Sequence, residues 1–165
     1  MRQAPSPNEA SKQDILMSLQ DRLSADLKQA MRERDATRLT ALRLLRAAIV
    51  NQEVEKGHAL DDSEVLAVIA REVKMRRESI DAFRAGGRQD LVAEQEAQLQ
   101  VLLAYLPQQL SREEIVQLAR ESIAALGATG PADMGAVMRD LMPRVKGKAE
   151  GSLVNQVVRE LLSAR

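Results

Sequence analysis

At 165 residues the chain has room for one domain or two small ones, and its 24 lysines and arginines are balanced by 24 aspartates and glutamates. No overall charge draws it to nucleic acid or membrane, so any attraction for phosphate has to be local. The chain has no cysteine, which excludes disulfides and thiolate metal sites and suits a reducing cytosol, giving the expectation of a cytoplasmic protein.

Residues 1–16, with Pro5-Ser-Pro7 and scattered polar side chains, lack the apolar centre of a signal peptide. Leu19, Leu23, Leu27 and Met31 then recur at helical spacing and predict a first amphipathic helix that ends near Arg34-Asp35. Leu39, Leu42, Leu45 and Ile49 predict a second, stopped at Lys56-Gly57. The acidic start Asp61-Asp-Ser-Glu64 precedes Val65, Leu66, Ile69, Val73, Ile80 and Phe83, a third helix that closes at Gly86-Gly87. A fourth runs from about Gln89 to Tyr105 on Leu91, Leu99, Leu102, Leu103 and Leu106. Short connections make these four antiparallel neighbours in an N-terminal helical domain over 17–106.

Pro107 stops the fourth helix and Ser111-Arg-Glu-Glu114 is a capping box for the next, so 107–110 reads as a linker and 111–165 as a second domain. Three helices are expected there, over 111–125, 132–145 and 151–163, with a turn from Gly127 through Pro131 and Pro143 bending or ending the middle one. Nothing in the chain alternates at period two, and the fold class is all-α.

The most informative stretch lies between the last two helices. Met134, Val137, Met138, Leu141 and Val145 share one helix face, as do Val154, Val157, Val158, Leu161 and Leu162. Arg144, Lys146 and Lys148 sit between them on a segment that Gly147 and Gly151 leave free to turn. The open amides at the start of the last helix face that basic loop, an arrangement suited to phosphate. Asn155, Gln156 and Arg159, opposite the apolar stripe, extend the surface. The plainer alternative is a solvated loop joining two packed helices.

Other candidate chemistry falls away. His58 is the sole histidine and, without cysteine, cannot anchor a zinc site, so no metal site is expected. Gly147-Lys148 fails as a phosphate-binding P-loop, because Ala149 stands where Ser or Thr is required and Met142 where the first glycine belongs. No serine elbow or thiol nucleophile is present, and carboxylates fall four residues from cations, as in Glu72 with Arg76 and Asp140 with Arg144. Such pairs mark solvated helix faces rather than a catalytic dyad. No catalytic residue and no cofactor are expected. With only Phe83 and Tyr105 aromatic, base-stacking RNA recognition is disfavoured.

The run Leu141-Met-Pro-Arg-Val-Lys-Gly-Lys-Ala149 followed by Glu150-Gly-Ser-Leu-Val-Asn155 resembles the signature of the GatB/YqeY family. Tyr105-Leu-Pro-Gln-Gln-Leu-Ser111, Gly127-Ala-Thr129 and Ala132-Asp-Met-Gly135 resemble stand-alone YqeY proteins, as do Met17-Ser-Leu-Gln-Asp-Arg-Leu23 and Leu39-Thr-Ala-Leu-Arg43. The resemblance begins at Met17, which implies that residues 1–16 are a disordered or non-native extension. The resemblance implies a helical N-terminal part and a three-helix tail like that of the GatB subunit of tRNA-dependent amidotransferase. It further implies a tRNA-related role, and the basic loop and polar face read above, Arg144, Lys146, Gly147, Lys148, Asn155, Gln156 and Arg159, are then the expected contacts for weak, backbone-directed tRNA binding. Catalysis by the chain alone is not expected. An accessory role in glutamine-dependent carbon–nitrogen ligation, beside an amidotransferase or other protein partner, and a protein–protein adaptor are the alternatives. No membrane partner is expected.

Overall fold

The structure, a computed structural model, describes residues 17–164; the extension read at residues 1–16 lies outside the described residues. Seven α-helices follow one another with no strand among the described residues. They are α1 (Leu19–Glu33), α2 (Ala36–Lys56), α3 (Asp62–Ala85), α4 (Gln89–Leu103), α5 (Arg112–Leu126), α6 (Met134–Val145) and α7 (Gly151–Ser163), with a single 3₁₀ turn at Pro131–Asp133 before α6. The chain divides into two compact units between Tyr105 and Leu106.

In the N-terminal unit each of the first three helices opens on a side-chain cap. Ser18 Oγ accepts from the Asp21 amide at 3.1 Å, Asp35 from the Arg38 amide at 3.1 Å, and Asp61 and Glu64 form a reciprocal capping box. These bonds satisfy amides that the first helical turn leaves open. The core comprises Leu23, Ala30, Ala41, Leu42, Leu45, Ile49, Val65, Val68, Ile69, Val73, Ile80, Val92, Leu99 and Leu102. Met31, expected on the apolar face of α1, is 54 % exposed, while its neighbour Ala30 is fully buried. A small side chain is what the core accepts beside the tight turn into α2, where Arg34 takes a left-handed φ of 55°.

Two polar groups are carried inside this unit. Arg76, expected to pair with Glu72 on a solvated face, is instead buried, and its Nη1 donates to Gln98 at 2.7 Å and Gln95 at 3.2 Å. Burial lowers its pKa, because desolvation disfavours the charged form. Tyr105, at the end of the unit, donates its hydroxyl to Asp26, and the Arg22 guanidinium lies 4.7 Å from its ring centroid. Burial first, and then the Asp26 carboxylate, push the Tyr105 pKa above its ordinary value.

In the tail, α5, α6 and α7 pack pairwise against one another. Ile115, Ala119, Ile123, Val137, Leu141, Val145, Val154, Val157, Val158 and Leu162 form the core, with Met134, Met138, Met142 and Leu161 half-buried against it. The capping box at the start of α5 is complete: Ser111 Oγ accepts from the Glu114 amide at 3.2 Å, and Glu114 accepts from the Ser111 amide at 2.7 Å. Pro143 falls within the last turn of α6, which ends two residues later at Val145.

Candidate functional site

The loop between α6 and α7 is built on Gly147, whose φ of +76° is the left-handed conformation that disfavours any residue with a Cβ. Around it the Val145 carbonyl accepts from the Lys148 amide at 2.9 Å and the Ala149 amide at 3.1 Å. Two further loop carbonyls are also occupied. Leu110 N–H donates to the Lys148 carbonyl at 2.8 Å. Gln109 Nε2 donates to the Gly147 carbonyl at 3.0 Å and, within its own segment, to the Pro107 carbonyl at 2.7 Å. The residues read from sequence as a linker are therefore a strap laid against the basic loop. Only the family-like run Tyr105–Ser111 signals them; no charge or periodicity marks Gln109.

Lys146 and Lys148 are exposed, and neither makes an ion pair with any described residue. The helix they precede, α7, is capped by Glu150 through its backbone position alone, with no side-chain bond to the first turn. Two ammonium groups with no ion-pair partner among the described residues thus stand on a hydrogen-bonded loop backbone, with the Glu150 side chain following at the helix start.

The remaining sequence-predicted residues are placed less simply. Arg144 turns back onto α5, donating to Glu121 at 2.7 Å and to the buried Ser122 Oγ at 3.3 Å. Its sequence-predicted partner Asp140 instead accepts from the Ser122 hydroxyl. Asn155 accepts from Arg159 at 2.9 Å, one turn along α7. Gln156 donates to Glu160 at 3.1 Å, and Glu160 also accepts from Arg112. The structure thus leaves Lys146 and Lys148 as the open cations of the predicted site, while Arg144 and Arg159 are engaged.

His58 is exposed in the α2–α3 loop, 3.7 Å from Glu64, which also takes the Lys56 ammonium at 3.0 Å. The Glu64 pKa is lowered, chiefly by the Asp61 amide and then by Lys56. No group of three or more potential metal ligands occurs among the described residues, and no described helix is long and apolar enough to cross a membrane.

Comparison with known proteins gives a consistent answer. The family described as Yqey-like protein matches residues 20–162. A Pyrenophora tritici-repentis protein named "Altered inheritance of mitochondria protein 41, mitochondrial" is 32 % identical over 147 residues, covering 87 % of this chain and 81 % of the relative. Proteins of the same name from Eremothecium gossypii and Saccharomyces cerevisiae are 39 % and 33 % identical over 85 and 87 residues. Those two alignments span about half of either chain. The names correct the expectation of a cytoplasmic protein, since the relatives are named as mitochondrial. That expectation rested on the missing cysteines, and a chain with no thiol to oxidise carries no record of its compartment. With its profile match running almost end to end and the folded helices on both sides of Tyr105 included, the chain belongs to the YqeY-like protein family.

Proposed function

We propose that the tail binds folded tRNA weakly, through phosphate contacts from Lys146 and Lys148. The observation that carries this reading is the pair of exposed lysines, without an ion pair among the described residues, on a loop whose Val145, Gly147 and Lys148 carbonyls are already bonded. A preorganised site loses little ordering entropy when it binds. Phosphate contacts position a nucleic acid rather than read its sequence, and the absence of aromatic residues in the tail directs recognition to shape and backbone. The family resemblance supplies tRNA as the RNA class. Asn155, Gln156 and Arg159 extend the surface along α7, and Arg144 joins it once freed from Glu121. In this reading the chain is a binding module, and any part in glutamine-dependent carbon–nitrogen ligation is that of an accessory subunit. The relatives' names favour mitochondria as its location.

The test is binding of an unmodified tRNA transcript over a range of salt. Each phosphate that is no longer neutralised should reduce the log–log slope by roughly 0.7–0.9, so Lys146→Ala with Lys148→Ala flattens it by about 1.5. The control is Lys28→Ala with Lys56→Ala, which removes the same charge from the N-terminal unit. Equal effects from the two pairs overturn the proposal. A second reading, a protein adaptor, is favoured by apolar side chains on α2, where Leu44, Val50 and Val54 are exposed. It predicts a complex that persists at high salt without RNA.

A further inference from the structure

We infer that the strap Pro107–Leu110 is part of the phosphate site, with Gln109 as its positioning residue; the inference rests on the tRNA-binding reading above. The strap brings two donors to two carbonyls of the lysine-bearing backbone: Leu110 N–H to Lys148 and Gln109 Nε2 to Gly147. Gln109 also closes a bond to Pro107 within the strap, which holds its amide in the donating orientation. On the loop's other side the Val145 carbonyl fixes the amides of Lys148 and Ala149. The loop is consequently clamped from both directions, and the strap is the half of the clamp that comes from a different part of the sequence.

The lysine side chains take their directions from this backbone. If the strap lifts, Gly147 regains the freedom that its φ of +76° exploits and the two lysines lose the bonded backbone from which their side chains project. Their charge remains, however, and so does the number of phosphates they can neutralise. Strap docking and tRNA binding are then linked equilibria, and each must strengthen the other by the same factor.

Two measurements on the full chain test this. Gln109→Ala should weaken binding of the tRNA transcript by about twofold to tenfold, the range of one neutral hydrogen bond, while the salt slope stays at its wild-type value. Removing a residue that touches phosphate would instead flatten the slope, as for the lysine pair. In the unaltered protein, saturating transcript should slow hydrogen exchange at the Leu110 amide by a factor at least as large as the drop in affinity of Gln109→Ala. The second measurement needs no variant, so a folding defect in Gln109→Ala leaves it decisive. Unchanged exchange at Leu110, or wild-type affinity in a folded Gln109→Ala protein, overturns the inference while the lysine slope stands. Failure of the lysine pair to differ from its control overturns the binding reading itself.

Discussion

The chain leaves a helix twice through a lysine and a left-handed glycine, and the two loops differ in where the lysine charge goes. Gly57 after α2 and Gly147 after α6 share a φ of +76°. Beside Gly57, Lys56 is neutralised by Glu64 at 3.0 Å, and that carboxylate in turn belongs to the capping box that starts α3. Beside Gly147, Lys146 and Lys148 form no ion pair among the described residues, and Glu150, which caps α7, makes no side-chain bond to its first turn. The first loop commits its charge to the fold, and in the proposed reading the second keeps it for phosphate. The two loops share a backbone conformation and differ in whether a described carboxylate holds the lysine.

Substitution of the glycines separates backbone from charge most sharply. A Cβ would meet no atom within 4 Å at either position, so φ alone sets the penalty. Gly57→Ala and Gly147→Ala should each destabilise the protein by about 1–2 kcal/mol, seen as similar losses in thermal unfolding. Only Gly147→Ala should also weaken binding of the tRNA transcript. Similar binding losses from both would end the distinction between the loops.

Glu121→Gln should move the second loop further from the first. The Arg144–Glu121 pair is 39 % and 49 % exposed, and exposed pairs are worth about 0–1 kcal/mol, so Arg144 is released at little cost. Transcript affinity should rise about twofold to threefold, within that range, and the gain should vanish when Arg144→Ala is added. A gain that survives without Arg144 would mean only that a negative charge had been removed nearby.

Acid produces the smallest effect. Because the folded pKa of Glu64 is lowered, its stabilising contribution is present above its unfolded value of about 4.3 and is lost as pH falls through the folded value. The thermal midpoint of Glu64→Gln should accordingly fall less than that of the unaltered chain between about pH 6 and pH 3, a window spanning that value. An identical acid response would show that the Asp61 amide and Lys56 do not stabilise the Glu64 carboxylate.

Where a feature is local in sequence, it is legible there. The capping box of Ser111 and Glu114 and the apolar faces Val137–Leu141–Val145 and Val154–Val158–Leu162 need only spacings of three and four residues, and the structure has them. Lys146 and Lys148 stand out for the same reason. Features that depend on partners far along the chain escape such a reading. Spacing pairs Arg76 with Glu72, yet the side chain meets Gln95 and Gln98 across α3 and α4. Arg144 meets Glu121, and Gln109 meets Gly147 across 38 positions. Met31 and Ala30 exchange places because periodicity ranks side chains by hydrophobicity, whereas a tight corner selects by size.

Tyr105 has a practical consequence of a different kind. It is the sole tyrosine in a chain without tryptophan, and it is enclosed by Asp26 and Arg22 within the N-terminal unit. Since the other aromatic residue, Phe83, also precedes the tail, ultraviolet emission comes from one side of the molecule and the tail is optically dark. Tyrosine fluorescence therefore reports from the N-terminal unit, whereas far-ultraviolet circular dichroism follows all seven described helices. A gap between the two melting curves, if the units open separately, is the signal of the tail, obtained with no label attached.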